Sequence, residues 1–371
     1  MIPKDKVIRI AVLSKPLDNW KSGSGHHLDE LMKTVLDLND GAFEFTFVHY
    51  RKSDNPIYAR VREIIIPRNP FAASRILAGE KFDIIHYSPL SVFAPIWGIK
   101  AKKIATVHGI EEVLFPQGYS PVQRWHDTLI QPWYMRRMDR IATVSETGRQ
   151  YFINHYRIPA QKVFITTNGL GKKYRVLSDD EKKTIGISGL DRPYILHISK
   201  FSLRKNPLTI CRGFARFLNQ SGLDYQLVCA GSGWNGSEAR AIAAEAGLSG
   251  RYIAPGFISE EAAVNLLNNA EAFVFPSFAE GFGMPNIEAM ACGCPVLTSN
   301  IFAIPEVVGD AACILRTADD LDEFAGDLSR ICSDPAYRKT LIDRGLKRIT
   351  CYTWDISAKA LISEYQSMLI D

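Results

Sequence analysis

Short apolar runs rich in β-branched residues recur along the first half of the chain, with helical or polar stretches between them. The runs span residues 7–14, 44–50, 82–88, 103–109, 140–145 and 162–169. Residues 26–38 instead show the apolar spacing of an amphipathic helix. Apolar strands joined by helices are typical of a parallel sheet built from βαβ units. The pattern therefore predicts an α/β domain over residues 1–175.

A second series of such runs begins after a polar stretch. Residues 176–192 lack apolar periodicity, so we predict a linker there. The later runs span residues 193–199, 225–231, 251–256, 272–277, 295–299 and 311–315. A chain of 371 residues suits two domains. We predict a second domain over 193–353 and a helix over 354–371 that packs back on the first domain.

The fold class that fits both series is α/β, with two Rossmann-like, doubly wound parallel-sheet domains. In such sheets, ligands bind beyond the carboxyl ends of the strands. Pockets also occur preferentially between domains. We therefore expect two domains that face a central cleft, with the ligand bound in that cleft.

Composition and cysteine usage restrict the class of protein. The chain is 46% hydrophobic and 23% charged, as soluble globular proteins are. It has no apolar run long enough for a membrane span, and its first apolar run is too short for a signal peptide. All seven cysteines lie from Cys211 onward without paired spacing. We expect reduced thiols in a cytoplasmic protein.

The two halves of the chain differ in charge. Residues 1–175 carry 26 Lys and Arg against 16 Asp and Glu, a balance of +10. The remaining residues carry 18 against 24, a balance of −6, and the sum is the overall +4. A basic half favours an anionic partner such as a phospholipid surface, a pyrophosphate-linked lipid or a nucleic acid. A solvated face without a partner accounts for the asymmetry equally well.

The sequence AEGFGMPNIEAMACGCP, residues 279–295, joins a predicted strand to a predicted helix. Glu280 follows the strand, and Glu288 lies early in the helix. Amides at a helix N-terminus bind anions, and a carboxylate can accept hydrogen bonds from two neighbouring hydroxyls. This spacing fits a sugar–diphosphate–nucleoside. The alternative is that Glu288 only caps the helix and Glu280 is a solvated loop residue, and spacing alone leaves both open.

A basic cluster follows the first strand of the second domain. In HISKFSLRKNP, residues 197–207, the cations are Lys200, Arg204 and Lys205. Cations at the carboxyl end of a strand can neutralise a pyrophosphate and stabilise it as a leaving group. A solvated surface cluster is the alternative interpretation.

The stretch PSFAEGFGMPNIEAMACGCPV resembles the Glu-x7-Glu signature of the retaining, nucleotide-sugar-dependent glycosyltransferases of family 4, also called glycosyl transferases group 1, which have the GT-B fold. Other segments are similar in order along the chain. They are DIIHYS, TVHG, IATVSE, ITTNG, YILHISKFSLRKN, LVCAGSG, YIAPGFISEEAAVNLLNNAEAFVFPS and CYTWDISAKALISEY. The resemblance therefore covers most of the chain and implies the GT-B fold.

The resemblance implies roles for residues of the second domain. Glu280 would bind hydroxyls of the transferred sugar and support the charge that develops at its anomeric carbon. Glu288 would hold the nucleoside ribose. Lys200 and Lys205 would bind the diphosphate, with Lys200 at a position where arginine is commoner. Backbone amides facing the phosphate and sugar would come from Phe282, Gly283 and Met284.

Three further positions are implied with less direct motifs. His108 matches a histidine that reaches the donor sugar, so Glu280, Lys205 and His108 form the predicted catalytic set. Many members have an aspartate where this chain has Gly109, which is a departure on the acceptor side. Gly25, in a glycine-rich stretch at 22–27 that takes the place of a loop before the first helix, is predicted to lie nearest the phosphate. The backbone near Ile253 is predicted to contact the base.

The resemblance implies a retaining hexosyltransferase that uses a UDP- or GDP-linked sugar and a glycan or lipid-linked acceptor, with mannosyl transfer among the expected activities. A non-catalytic nucleotide-sugar sensor and a GT-B-fold epimerase are the alternatives. We expect no cofactor and no nucleic-acid partner, because the basic half lacks the arrangement of a known module.

We also expect no metal. The one Asp-x-Asp, at residues 320–322, lies at the start of a predicted late helix. Acidic residues at that end of a helix complement its dipole. The phosphate-binding cations could take the electrostatic role that a metal ion would otherwise fill.

Residues 121–140 mix tryptophan, tyrosine and arginine in a predicted helix. Such a helix suits the interface of an anionic membrane, which would fit an enzyme of polysaccharide or glycoconjugate synthesis. Packing against the neighbouring domain explains the mixture equally well. We therefore expect a cytoplasmic protein, with an anionic membrane surface among its candidate partners.

Overall fold

A computed structural model describes residues 7–19, 23–91, 93–182 and 186–369. Parts of four predicted segments lie outside these residues, namely 1–6 at the N-terminus, Ser22 of the glycine-rich stretch, 183–185 of the linker and 370–371 of the last helix. The described residues form two compact units. The first holds residues up to Val113, Tyr119–Gly169 and those from Tyr352 onward, and the second holds Leu114–Gly118 and Leu170–Cys351.

The first unit is built on a parallel sheet of seven described strands in the order β3-β2-β1-β4-β5-β6-β7. The strands are β1 Ile8–Leu13, β2 Phe43–His49, β3 Arg62–Ile65, β4 Ile84–Tyr87, β5 Lys102–Thr106, β6 Arg140–Thr143 and β7 Val163–Ile165. The strand order reverses between β1 and β4, and the carboxyl ends on either side of such a point form a ligand-binding crevice.

The second unit is built on a parallel sheet of six described strands in the order β10-β9-β8-β11-β12-β13. The strands are β8 Tyr194–Ile198, β9 Gln226–Ala230, β10 Tyr252–Gly256, β11 Ala272–Phe275, β12 Val296–Ser299 and β13 Cys313–Leu315. The order again reverses, here between β8 and β11. Two parallel-sheet α/β units confirm the predicted fold class.

Helices connect the strands of both sheets. Those in the described part of the chain are α1 Gly23–Leu38, α2 Pro70–Gly79, α3 Glu111–Leu114, α4 Pro121–Trp125, α5 Gln131–Met135, α6 Glu146–Asn154, α7 Pro207–Ser221, α8 Ser237–Glu245, α9 Glu260–Asn269, α10 Met284–Ala291, α11 Ile304–Val308, α12 Leu321–Ser333, α13 Pro335–Arg348 and α14 Trp354–Ser367. A π-helical turn, His126–Ile130, joins α4 to α5. No helix in the described ranges is long and apolar enough to cross a membrane.

The core of the first unit lies between its sheet and two helices from opposite ends of the chain. Apolar side chains of β1 and β2 pack with those of α1 and α14. Each buried aliphatic or aromatic side chain contributes about 1.5–3 kcal/mol to the stability of the fold. Burial of these faces therefore holds the strands, and with them their carboxyl ends, in place.

The second unit buries apolar side chains on both faces of its sheet. One layer packs α7 and α12 against the sheet, and the other packs α9 and α10. Within the segment predicted as a linker, Leu177, Ile187 and Leu190 pack on the second layer. The described part of this segment therefore belongs to the second unit.

Candidate active site

An asparagine in the left-handed region joins three loops at the carboxyl edge of the second sheet. Asn206 has a φ of +59° and precedes α7. Its Oδ1 accepts from the amide of Thr209, and its Nδ2 donates to the carbonyls of Pro276 and Ala318 at 3.1 and 2.7 Å. These bonds fix the loop after β8 against the loops after β11 and β13.

Glu280 lies in the loop after β11 and is held by two cations. The carboxylate Oε1 accepts from Lys205 Nζ at 2.5 Å and from Arg204 Nη1 at 2.8 Å. Glu280 is only 7% exposed and Lys205 only 8%. This low exposure contradicts the interpretation of Glu280 as a solvated loop residue. A carboxylate so buried is stable only when it is paired, as Glu280 is here.

Arg204 also supports the loop that carries Glu280. Its Nη1 donates to the carbonyl of Ala279, and its own carbonyl accepts from the amide of Phe278 at 2.9 Å. The sequence identified Arg204 as one cation of a cluster but not as a partner of Glu280. The 75 and more residues between the partners leave no local signal for this pairing.

The N-terminus of α10 follows Glu280 directly. Gly283 has a φ of +84°, and a Cβ there would lie 3.0 Å from Asn286 Nδ2 and 3.3 Å from Ile304. Only glycine therefore fits without strain. Phe282 is buried, and Met284 begins the helix. The predicted amide donors thus lie at a helix N-terminus, where backbone N–H groups attract anions.

Asn286 in the first turn of α10 was not singled out from the sequence. Its side chain is fully buried, and neither Nδ2 nor Oδ1 has a hydrogen-bond partner among the described residues. Buried polar groups are usually paired, so this amide stands out. The sequence at the start of α10 is mostly apolar, so it gave no signal that could have identified Asn286.

Glu288 lies two residues further along α10 and is partly buried. Desolvation raises its pKa to about 7, and the nearby Glu260 carboxylate adds to the shift. Glu260 itself pairs with Lys173 at 2.6 Å. Glu288 can therefore exchange a proton near neutral pH, which the sequence did not predict.

Two other predicted donor-binding residues lie in the second unit. Lys200 is exposed just after β8, in the same connection as Lys205. Ile253 is half-buried on β10, an edge strand whose register shifts between Ile253 and Gly256. Its side chain packs near Gly189.

His108 follows β5 in the first unit and lies beside a second histidine. The rings of His27 and His108 are edge to face with centroids 4.5 Å apart. His27 Nδ1 is 2.6 Å from Asn168 Oδ1, and the Nε2 atoms of both histidines are buried without a hydrogen-bond partner in the described part of the chain. Burial lowers the pKa of His108 to about 4, so the ring is neutral at physiological pH. Sequence reasoning missed His27.

Gly25 lies in the first turn of α1 and is buried. The sequence placed it in a loop before a helix at 26–38, but the helix begins at Gly23. The loop assignment is wrong for the described residues 23–25, which form the first turn of α1, a helix whose apolar face packs on the sheet.

Asp320, the first residue of the Asp-x-Asp, caps the N-terminus of a helix. Asp320 accepts from the amides of Asp322 and Glu323 at 3.0 and 2.9 Å before α12. In the described part of the chain, no cluster of three His, Cys, Asp or Glu side chains could hold a metal ion.

Two family models cover most of the chain. A model described as glycosyl transferases group 1 matches residues 178–348, and one described as glycosyltransferase family 4 matches residues 34–171. Together with the two-unit architecture, these matches confirm the resemblance. The chain belongs to the group 1, family 4 glycosyltransferases with the GT-B fold.

Two curated relatives are mannosyltransferases. O-antigen chain mannosyltransferase B of Escherichia coli is 29% identical over 235 residues, which is 61% of this chain and 60% of that protein. MMP alpha-(1->4)-mannosyltransferase of Mycolicibacterium hassiacum is 26% identical over 315 residues, which is 80% of this chain and 74% of that protein. The match to the first relative thus spans less than two thirds of its length.

A solved structure shows the same fold over nearly the whole chain. HepE of Anabaena, crystallised with UDP and glucose, superposes with a TM-score of 0.77 and 17% sequence identity. The superposition covers 97% of this chain and 100% of that chain.

Proposed function

We propose that the protein transfers a hexose from a nucleoside diphosphate sugar to a hydroxyl of a glycan or lipid-linked acceptor. The observation that carries this proposal is the Glu280 cluster, in which a buried carboxylate lies between two cations and next to a helix N-terminus. An anionic diphosphate suits the cations and the amides. The carboxylate suits sugar hydroxyls and the positive charge of an oxocarbenium-like transition state.

The proposed chemistry needs no resident metal ion. The bond between the anomeric carbon and the diphosphate oxygen breaks, and the acceptor oxygen bonds to that carbon. The acceptor proton passes to the departing diphosphate oxygen. Lys200 and Lys205, with the amides at Phe282–Met284, offset the charge that develops on the diphosphate. We propose retention of the anomeric configuration, because the acceptor then attacks on the face that the leaving group vacates.

Each remaining predicted residue takes a part in this proposal. Glu288 holds the ribose diol, and the backbone near Ile253 contacts the base. His108, neutral because it is buried, exchanges hydrogen bonds with a sugar hydroxyl. Gly25 allows the backbone of α1 to approach the phosphate.

We propose mannose as the transferred sugar, since both relatives named above are mannosyltransferases. Synthesis of a cell-surface polysaccharide or glycoconjugate is the context that fits, because the first relative acts on an O-antigen chain. UDP is also to be tested as the donor nucleotide, since HepE was crystallised with UDP.

A panel of nucleotide sugars tests the proposal. GDP-mannose, UDP-glucose, UDP-galactose and UDP-N-acetylglucosamine are incubated with the full chain, and free nucleoside diphosphate and hexose are measured by mass spectrometry. We expect turnover of one donor, with GDP-mannose favoured, that survives EDTA. A donor that binds tightly but is never cleaved, with or without glycan or lipid-linked acceptors, would instead indicate a sensor. Loss of turnover in EDTA with recovery in Mg²⁺ or Mn²⁺ would contradict the metal-free mechanism.

A further inference from the structure

The segment from α4 to α5 exposes a row of large apolar side chains. Val122, Trp125 and Leu129 are 75%, 57% and 58% exposed. They are three and four residues apart, and the half-buried Trp133 follows four residues later. These spacings place the side chains along one face of the helical segment. A continuous apolar stripe on solvent is unusual, whereas single exposed apolar residues are common.

The row continues onto neighbouring elements of the first unit. The rings of Trp133 and Trp97 lie 6.0 Å apart, and Phe71 at the start of α2 stacks on Trp97 at 5.8 Å. Phe71 is 64% exposed and Trp97 is 42% exposed. We call the whole set the aromatic ridge, which consists of Phe71, Trp97, Val122, Trp125, Leu129 and Trp133.

Basic side chains flank the aromatic ridge. Arg124, Arg136 and Arg137 are exposed, and the Arg137 guanidinium lies 3.4 Å from the centre of the Trp133 ring. Within residues 121–140 the two aspartates face other groups. Asp127 is buried and bonds His126, and Asp139 accepts from the amide of Lys103. The outer surface of this segment is therefore apolar and cationic without an exposed carboxylate.

We infer that the aromatic ridge docks the first unit onto an anionic membrane surface. Tryptophans settle at the headgroup level of a bilayer, and exposed leucine and valine enter the acyl boundary. Arginines beside them attract anionic lipids. A protein partner would be expected to present carboxylates to three arginines, whereas an anionic bilayer meets both the apolar and the cationic parts of the surface at once. The inference stands independently of which sugar is transferred.

Binding of the full chain to vesicles tests the inference. The vesicles are phosphatidylcholine alone or phosphatidylcholine mixed with phosphatidylglycerol, and binding is measured by co-sedimentation. We expect the protein to bind the mixed vesicles at low salt and to dissociate partly at about 0.15 M salt, where the screening length falls to about 8 Å. Tryptophan emission should shift to shorter wavelength on binding, as the indoles leave water.

Two double variants separate the apolar and cationic contributions. Trp125→Ser with Leu129→Ser should weaken partitioning about tenfold or more, since two apolar side chains no longer leave water. Arg136→Gln with Arg137→Gln should weaken it about fivefold per charge and reduce its salt dependence. Phe257→Ser, which replaces an aromatic residue that is 77% exposed in the second unit, is the matched control and should leave partitioning unchanged. Because all these side chains are exposed, circular dichroism should show unaltered folding.

Three results would overturn the inference. The first is that the wild-type protein fails to bind phosphatidylglycerol vesicles even at low salt. The second is that the ridge variants bind these vesicles as the wild type does. The third is that sedimentation velocity shows a dimer that the Trp125 and Leu129 substitutions dissociate, without vesicle binding by the wild type. That result would assign the ridge to a second copy of the chain.

Discussion

In the proposed function, Glu280 is the residue around which the chemistry of the second unit is organised. Its carboxylate has little access to water and depends on Lys205 and Arg204 for its charge balance. Removing one partner of a buried ion pair typically costs about 3–5 kcal/mol, because the remaining charge stays buried. Under the proposed function, an arriving diphosphate competes with Glu280 for Lys205. Substitutions in this cluster should therefore affect catalysis more than they affect the folding of distant parts of the chain.

Arg204 is predicted to be a positioning residue for Glu280. Arg204→Gln should lower kcat about 10- to 100-fold, which corresponds to loss of one or two charge-assisted hydrogen bonds. Nucleotide affinity should change less than kcat, and Arg204→Lys should recover part of the activity because it keeps the charge. Steady-state kinetics and calorimetric nucleotide binding measure the two effects.

The exposed Arg212 on α7 provides the control for Arg204. Arg212→Gln removes the same charge from the same unit and should leave both constants near the wild-type values. If Arg204→Gln weakened nucleotide binding more than it lowered kcat, Arg204 would be a phosphate ligand and not a positioning residue.

Glu288 should make stability depend on pH. Its pKa is about 7 in the folded protein against an ordinary 4.5, so the folded state is not penalised below pH 4.5 and loses stability as the pH rises toward 7. Glu288→Gln removes that penalty. The substitution should raise the free energy of unfolding by about 1–3 kcal/mol at about pH 8, and should change it little at about pH 4.5.

Urea titrations of wild type and variant at the two pH values measure this difference. Glu245→Gln, at an exposed position on α8, is the control and should shift neither value. Equal effects of Glu288→Gln at both pH values would show that Glu288 is not held near a neutral pKa.

At the residue scale, sequence identified the motif residues but not their partners. Glu280, Glu288 and Lys205 stand in a local pattern that can be read directly. The pairing of Arg204 with Glu280, the orphaned amide of Asn286 and the contact of His27 with His108 arise only when loops from distant parts of the chain meet. A local spacing rule carries no information about such contacts.

Helix α14 illustrates how elements distant in sequence stabilise the first unit. Its Tyr365 is fully buried, and the hydroxyl lies 2.6 Å from His86 Nδ1 on β4. His86 Nε2 lies 2.8 Å from Thr106 Oγ1 on β5. Burial lowers the pKa of His86 to about 3, so a neutral ring links one helix to two strands.

Tyr365→Phe should destabilise the protein without altering its shape. It removes one hydrogen-bond partner from a buried imidazole, which costs about 1–3 kcal/mol of unfolding free energy. Tyr50→Phe, at a half-buried position, is the control and should cost less than about 0.5 kcal/mol. Urea unfolding followed by circular dichroism measures both, and equal costs would mean that the His86 bond adds nothing to the attachment of α14.

At the element scale, every apolar run noted in the sequence overlaps a strand, because buried parallel strands are apolar on both faces. Strand β3, Arg62–Ile65, was missed because an edge strand with mostly exposed side chains lacks that signature. Segment 176–192 was predicted as a linker for its polarity. Its few apolar side chains nevertheless pack on the second unit, and isolated contacts of this kind do not produce a period.

At the scale of the whole molecule, the bounds of the compact units and the bounds of the family models divide the chain at nearly the same place. The chain passes from the first unit to the second at residues 169–170, and the two family models end and begin at residues 171 and 178. The first unit contains the aromatic ridge and most of the basic half, and the second contains the Glu280 cluster. This division matches the proposal that one unit meets an anionic surface while the other binds a nucleoside diphosphate sugar.

The kinetics and nucleotide binding of Glu280→Gln and Glu288→Gln test the central claim most directly. If Glu280 acts on the reacting sugar, its variant should lose kcat by about 100-fold or more while nucleoside diphosphate affinity stays close to wild type. If Glu288 holds the ribose, its variant should lose about 1.5–3 kcal/mol of nucleotide binding. Two variants that bind nucleotide and turn over donor as the wild type does would contradict the account.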